Sequence, residues 1–219
     1  LNIPVSPATI PKNMNTNIAP PSAPNSGLFK RSRNLETFWS LSSWSKLFFE
    51  AILFDFDGTL VKSNEIKKQI FYEITKNYSG TSQVLDKLLS NPNLASRYQI
   101  FNTLISETKL NIKFGITNSY LNRLYTQISE LKVSSAPEVP GAYKTLVKLK
   151  SLKIKIFLSS ATPIKTLKKI IKIKCWEYFF EDIFGYPKSK EQHLEKILNL
   201  TKFKLSEIIY IGDSEADQR

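Results

Sequence analysis

The chain has 219 residues, 42% of them hydrophobic, with a formal net charge of +12 and a pI near 9.6. One cysteine, Cys175, and one histidine, His193, exclude an intrachain disulfide and a Cys/His zinc cluster, so any metal site must use oxygen ligands and suits Mg²⁺ or Ca²⁺. No apolar run reaches the ~18 residues of a membrane span, and the length allows one substantial core with at most a small second domain.

Residues 1–35 hold six of the eleven prolines and no acid before Glu36, and show neither a helical nor a strand period. They read as a disordered extension. The group Lys30, Arg31 and Arg33 admits organellar targeting as the lesser reading, but the segment is not amphipathic and a cytoplasmic location is expected. The start at Leu1, with the only methionine at Met14, reads as a fragment or a start placed too early. Residues 36–50, rich in Trp, Phe and Leu, are expected to form a short aromatic helix or linker.

From Ala51 a short apolar run reaches Phe56 and ends in Asp55-Phe56-Asp57-Gly58-Thr59, a buried strand and tight loop. Four amphipathic helices follow over residues 64–132. The first carries Ile66, Ile70, Phe71, Ile74 and Tyr78, and the second spans about 82–90. The third carries Leu94, Tyr98, Phe101, Leu104 and Ile105, and the fourth Leu121, Leu124, Ile128 and Leu131. Pro137 and Pro140 mark a return, and a helix with Leu146 and Leu149 leads to a strand over Lys153–Ser159. Thr162 and Pro163 are expected to cap and open the next helix. A short strand near Ile183–Phe184, a helix from Lys190 and a strand Glu207–Ile211 complete the alternation, which predicts a parallel sheet covered by helices. His193 reads as a surface helix residue and Cys175 as core or partly buried.

In such a sheet, ligands sit beyond the carboxyl ends of the strands. Four polar clusters fall there: Asp55 and Asp57, Ser159 and Ser160, Lys188 and Lys190, and Asp213 and Asp217. A carboxylate can attack phosphorus, and a second one two residues on can protonate the leaving oxygen and then activate water. Thr59 adds a hydroxyl and a backbone donor, Ser160 and nearby amides can hold phosphate oxygens at a helix N-terminus, and a lysine neutralises phosphoryl charge. Asp55, Asp213 and Asp217 can hold Mg²⁺.

Asp55-Phe56-Asp57-Gly58-Thr59-Leu60, Ser160, Lys190 and Gly212-Asp213-Ser214-Glu215-Ala216-Asp217 resemble, in order, the four motifs of the haloacid dehalogenase superfamily. Lys62-Ser63-Asn64-Glu65-Ile66-Lys67 is similar to the start of a small helical cap in its phosphatase subgroup. The resemblance implies a Rossmann-like α/β core, residues 51–61 and 140–219, with a helical cap inserted at 62–139. It implies Asp55 as nucleophile and metal ligand, Asp57 as acid/base with its carbonyl on the metal, and Lys190 as phosphoryl stabiliser, with Lys188 the alternative. It implies Thr59, Ser160 and Ala161 as phosphate-binding, and Asp213 and Asp217 as Mg²⁺ ligands.

The implied activity is hydrolysis of a small phosphorylated metabolite. A phosphomutase of the same superfamily and a non-catalytic binding protein are the alternatives. An acid at Asp57 favours phosphate esters over dehalogenation. The lysine-rich C-terminal half reads as a solvated face that draws anionic substrates, not a nucleic-acid surface, because such readers favour Arg. The family usually continues beyond the position of Arg219, so a shortened core with an exposed strand edge is expected.

Overall fold

The structure is a computed structural model that describes residues 49–90 and 96–213. The expectations for residues 1–48, for Leu94 and for Asp217 lie outside the described residues. Strands β1 (Ala51–Phe54), β2 (Lys155–Pro163), β3 (Asp182–Tyr186) and β4 (Ile208–Ile211) form one parallel sheet in the order β3-β2-β1-β4. Between β1 and β2 run α1 (Asn64–Thr75), α2 (Thr81–Leu89), α3 (Arg97–Thr108), α4 (Leu110–Phe114), α5 (Asn118–Ser134) and α6 (Ala142–Ser151). Helix α7 (Ile164–Ile173) joins β2 to β3, and α8 (Lys190–Thr201) joins β3 to β4. No described helix is long and apolar enough to cross a membrane.

β1 is apolar throughout because it is central. Ile52 and Phe54 face α6 and α7 in one cluster with Ile156, Leu158, Leu146 and Ile170. Ala51 and Leu53 face the opposite layer with Phe157, Tyr210 and Ile197 of α8. A strand covered on both faces loses the in/out alternation of a half-exposed one, and each large side chain so buried contributes roughly 1.5–3 kcal/mol. Helices α1 to α5 have their own cluster, with Ile70, Phe71, Leu85, Phe101, Leu104 and Tyr125 at its centre. Ile66 packs against both this cluster and the sheet's.

Several boundaries differ from expectation. The described residues of 64–134 form five helices: Lys109 (φ 57) starts the additional short α4 and Gly115 (φ 66) ends it. On α5 the inward stripe is Leu121, Tyr125, Ser129 and Val133, while Leu131 is 72% exposed and points outward. Cys175 is exposed, in a turn after α7 that gives it φ 57. β4 begins one residue later than expected because Glu207 closes a short 3-10 turn.

The largest difference is in β2, which runs to Pro163. Ser159 pairs with Phe184 and Pro163 with Tyr186, so four steps along β2 oppose two along β3. The strand bulges over Ser160, Ala161 and Thr162. Bulges of this kind re-aim side chains beside functional sites. Gly185 makes room for it: a Cβ there would lie 2.5 Å from the Thr162 carbonyl oxygen and 2.8 Å from Ile164 Cα.

Candidate active site

Sheet register aligns the chemistry. Phe54 pairs with Leu158 on one side and with Ile211 on the other. The next residues, Asp55, Ser159 and Gly212, therefore lie side by side at the carboxyl edge. Strand order also reverses at β1, since the chain leaves it toward β2 and β3 and returns to β4 on its other side. Open α/β sheets bind ligands at such a point.

Asp55 is buried, and its carboxylate accepts the Lys190 ammonium at 3.2 Å. Lys190 is the first residue of α8, whose start is fixed by a capping box between Ser189 and Gln192. Its ammonium also lies 5.5 Å from the ring centre of Tyr210 on β4. Lys188 is exposed. The structure thus puts Lys190 on Asp55.

Asp57 meets four side-chain donors. Its Oδ1 accepts Ser63 Oγ at 2.6 Å; its Oδ2 accepts Ser160 Oγ at 3.1 Å and Thr162 Oγ1 at 3.0 Å. The Lys67 ammonium reaches Oδ2 at 2.5 Å. Burial alone would push the Asp57 carboxyl up, but the Lys67 charge and the Lys67, Ser63 and Thr162 donors together hold it below the ordinary carboxylate range.

Three of these donors, Ser63, Thr162 and Lys67, were not anticipated as site residues, and the helix caps account for the first two. Ser63 sits at the N-cap of α1 but makes no cap bond, because its hydroxyl goes to Asp57. Thr162 was expected to cap α7; instead Pro163 stands at that N-cap, without a side-chain cap bond, and the Thr162 hydroxyl also goes to Asp57. Ser160 and Ala161 accordingly lie in extended strand, not at a helix N-terminus. Ser160 Oγ accepts the Thr162 N–H at 3.0 Å, Ala161 is exposed, and the Thr59 hydroxyl is buried with no partner among the described residues.

Asp213 Oδ2 accepts Asn64 Nδ2 at 2.7 Å. The carboxylate lies over Gly58, where a Cβ would overlap both Asp213 and Asn64. The missing side chain makes a cradle between the loop carrying Asp55 and Asp57 and the end of β4. Among the described residues no three acidic, His or Cys side chains form a metal cluster. Asp55 and Asp213 follow the paired ends of β1 and β4, and carboxylate oxygens are hard ligands of the kind that fit Mg²⁺.

His193 departs from expectation. It is 1% exposed, its Nδ1 lies 2.8 Å from Ser159 Oγ, and its ring stacks on Phe184. Burial drives the ring toward its neutral form; Lys188 and Lys190 add to this, and the Gly185 carbonyl opposes it. The unfolded chain takes up this proton near pH ~6.5, the folded chain only at lower pH. Stability is therefore full above that value and is lost as pH falls below it. Thermal midpoints of the wild type are expected to drop on acidification from pH ~6.5, and His193→Gln should flatten the slope; superimposable curves would refute the assignment.

The sequence profile of the haloacid dehalogenase-like hydrolases matches residues 52–219. The chain belongs to this family. Solved structures share the family fold. A haloacid dehalogenase-like hydrolase from Streptococcus pneumoniae is 21% identical, with a TM-score of 0.59 over 78% of each chain. The HAD-hydrolase YfnB of Bacillus subtilis, in a magnesium-bound form, is 16% identical, with a TM-score of 0.57 over 78% of this chain and 84% of that one. CbbY of Rhodobacter sphaeroides, in complex with phosphate, is 15% identical, with a TM-score of 0.58 over 77% and 79%. A search of curated protein sequences returns no match. Family membership accords with a parallel core that carries its acids at the β1 and β4 ends.

Proposed function

We propose that the chain is a Mg²⁺-dependent phosphomonoester hydrolase that acts on a small phosphorylated metabolite through an aspartyl-phosphate on Asp55. The observation that carries this reading is the pairing of Asp55 with Lys190 while Asp57, two residues on, is held apart by its own set of donors. Two carboxylates with separate environments suit separate roles.

An Asp55 oxygen attacks phosphorus as the bond to the leaving oxygen breaks; Asp57, ionised in the resting site, takes up a proton from solvent as the ester displaces its donors and passes that proton to the leaving oxygen. Asp57 then takes a proton from water, whose oxygen attacks the same phosphorus; inorganic phosphate leaves and the Asp55 carboxylate returns. Lys190 balances charge on Asp55 and on the phosphoryl group. Thr59, Ser160 and the Ala161 amide would hold the phosphoryl oxygens, Ser160 after yielding part of its bond to Asp57. Mg²⁺, when bound by Asp55, Asp213, the Asp57 carbonyl and Asp217, would supply the charge that lets an anionic nucleophile meet an anionic phosphate. Residues 62–139 serve as the cap that covers the site, and 51–61 with 140–219 as the core.

Phosphate release from a panel of phosphorylated metabolites tests the reading. Release should require Mg²⁺, stop on chelation and return on Mg²⁺ addition. Failure of every ester with Mg²⁺ present would end the proposal, and phosphoryl transfer without release would assign a mutase instead.

A further inference from the structure

Helix α8 is tied to the carboxyl edge of the sheet at two points. Lys190, its first residue, reaches Asp55 at 3.2 Å. His193 stands one turn on, on the same helix face, and its Nδ1 lies 2.8 Å from Ser159 Oγ. Asp55 and Ser159 follow the paired residues Phe54 and Leu158, so the two attachments are neighbouring rungs between one helical turn and one sheet edge.

The second attachment is buried and directional. Ser159 is inaccessible to solvent and His193 nearly so. The ring also stacks on Phe184, with centres 5.4 Å apart and planes 25° apart, and Phe184 is the residue that pairs with Ser159 across β2 and β3. His193 thus holds both members of the last regular pair before the β2 bulge. Packing alone does not account for a histidine at this place. Its Nε2 is buried with no hydrogen-bond partner among the described residues, a cost that leucine or phenylalanine would avoid while filling the same layer. The bond to Ser159 is what an apolar residue could not supply. Burial drives the ring toward its neutral form, so it adds little charge beside Lys190 and its part is geometric.

Lys190 needs such a fixture. Its ammonium sits on a flexible four-carbon stem, and its place is narrow: 3.2 Å from Asp55 and 5.5 Å from the ring centre of Tyr210. The capping box fixes where α8 starts along the chain, but not how deep that turn sits against the sheet. The bond between His193 and Ser159 fixes the depth.

We propose that His193 is a positioning residue for phosphoryl transfer: its bond to Ser159 seats the first turn of α8 at the depth that puts the Lys190 ammonium on Asp55 and on the phosphoryl group. The inference rests on the hydrolase reading above and adds to it a residue that touches neither substrate nor metal.

The test measures kcat/KM with Mg²⁺ and the fastest ester of the phosphorylated-metabolite panel, beside the thermal midpoint. The variants are H193F, H193N, S159A, K190M and the doubles H193F/K190M and S159A/K190M. Phenylalanine keeps the stack on Phe184 and loses the bond, whereas asparagine places a polar atom near the position of Nδ1. H193F and S159A should each lower kcat/KM roughly 10- to 100-fold while still folded, the scale of a displacement near one ångström. H193N should stay within about fivefold of wild type, because the bond is kept. In the K190M background there is no ammonium to aim, so H193F and S159A should cost less than about threefold there. Should H193F not fold, S159A and its K190M double complete the same cycle. Wild-type kcat/KM in S159A, a loss in H193N as deep as in H193F, or full losses that persist in the K190M background overturn the inference and leave the hydrolase reading standing. No release from any ester by the wild type overturns both.

Discussion

The D55N variant is expected to lose Mg²⁺-dependent phosphate release by on the order of 10⁴-fold or more, as removal of a covalent nucleophile does. The amide matches the carboxylate in shape, so the loss reports chemistry and not packing. Asp55 is buried at the end of a strand whose backbone bonds are complete, its own N–H donating to the Ile211 carbonyl at 2.8 Å. The variant gives up the ion pair with Lys190 but relieves the gathering of Asp55, Asp57 and Asp213 at one edge of the sheet. A thermal midpoint near that of the wild type is therefore expected beside the lost activity. Residual release above a few per cent of wild type would exclude Asp55 as the attacking group.

Gly58→Ala is expected to damage both fold and site. Gly58 has φ +77, a conformation costing an L-residue roughly 1–2 kcal/mol. Its new methyl would also overlap the Asp213 carboxylate and the Asn64 amide, and overpacking costs typically ~1–3 kcal/mol. The combined loss is about 2–5 kcal/mol by these two principles. If the strain is relieved by moving Asp213, a carboxylate shifts by roughly an ångström, which costs on the order of 10²-fold in rate. Gly80→Ala is the control: its φ is +79 and its Cβ would meet nothing within 4 Å, so only the backbone cost remains. Equal stability losses in the two variants, with activity kept in Gly58→Ala, would mean that the cradle over Gly58 has no function.

The sheet was legible because its signals are local and strong. Ala51–Phe54 reads as a covered strand from its apolar run alone, and Asp55 and Asp57 stand out because two acids end it. Lys190 was legible with Lys188 as a rival, and helix phase separates them: Lys190 opens α8 and faces the sheet, as does His193 three residues on. Three further donors were missed although the pattern held them. Ser160 and Thr162 are two apart on a strand and share a face, but ending β2 at Ser159 hid this, because Thr-Pro is a strong helix-start signal. Ser63 and Lys67 are four apart on α1 and meet the same carboxylate for the same reason. The outward turn of Leu131 and the break at Lys109 were not legible, since both depend on which neighbours α5 and α4 meet in three dimensions.

The central strand is completed by the last one. Ala51 pairs with Lys155 and also with Ile208, and Asp55 bonds the carbonyl of Ile211. During synthesis the strand that leads into Asp55 must wait, one flank bare, until nearly the whole described chain has emerged. Pairings of such long range form slowly, and an unpaired edge held open meanwhile invites association with other nascent chains. The order of translation thus makes the edge that carries Asp55 a late part of the described fold to mature and a natural client for a chaperone.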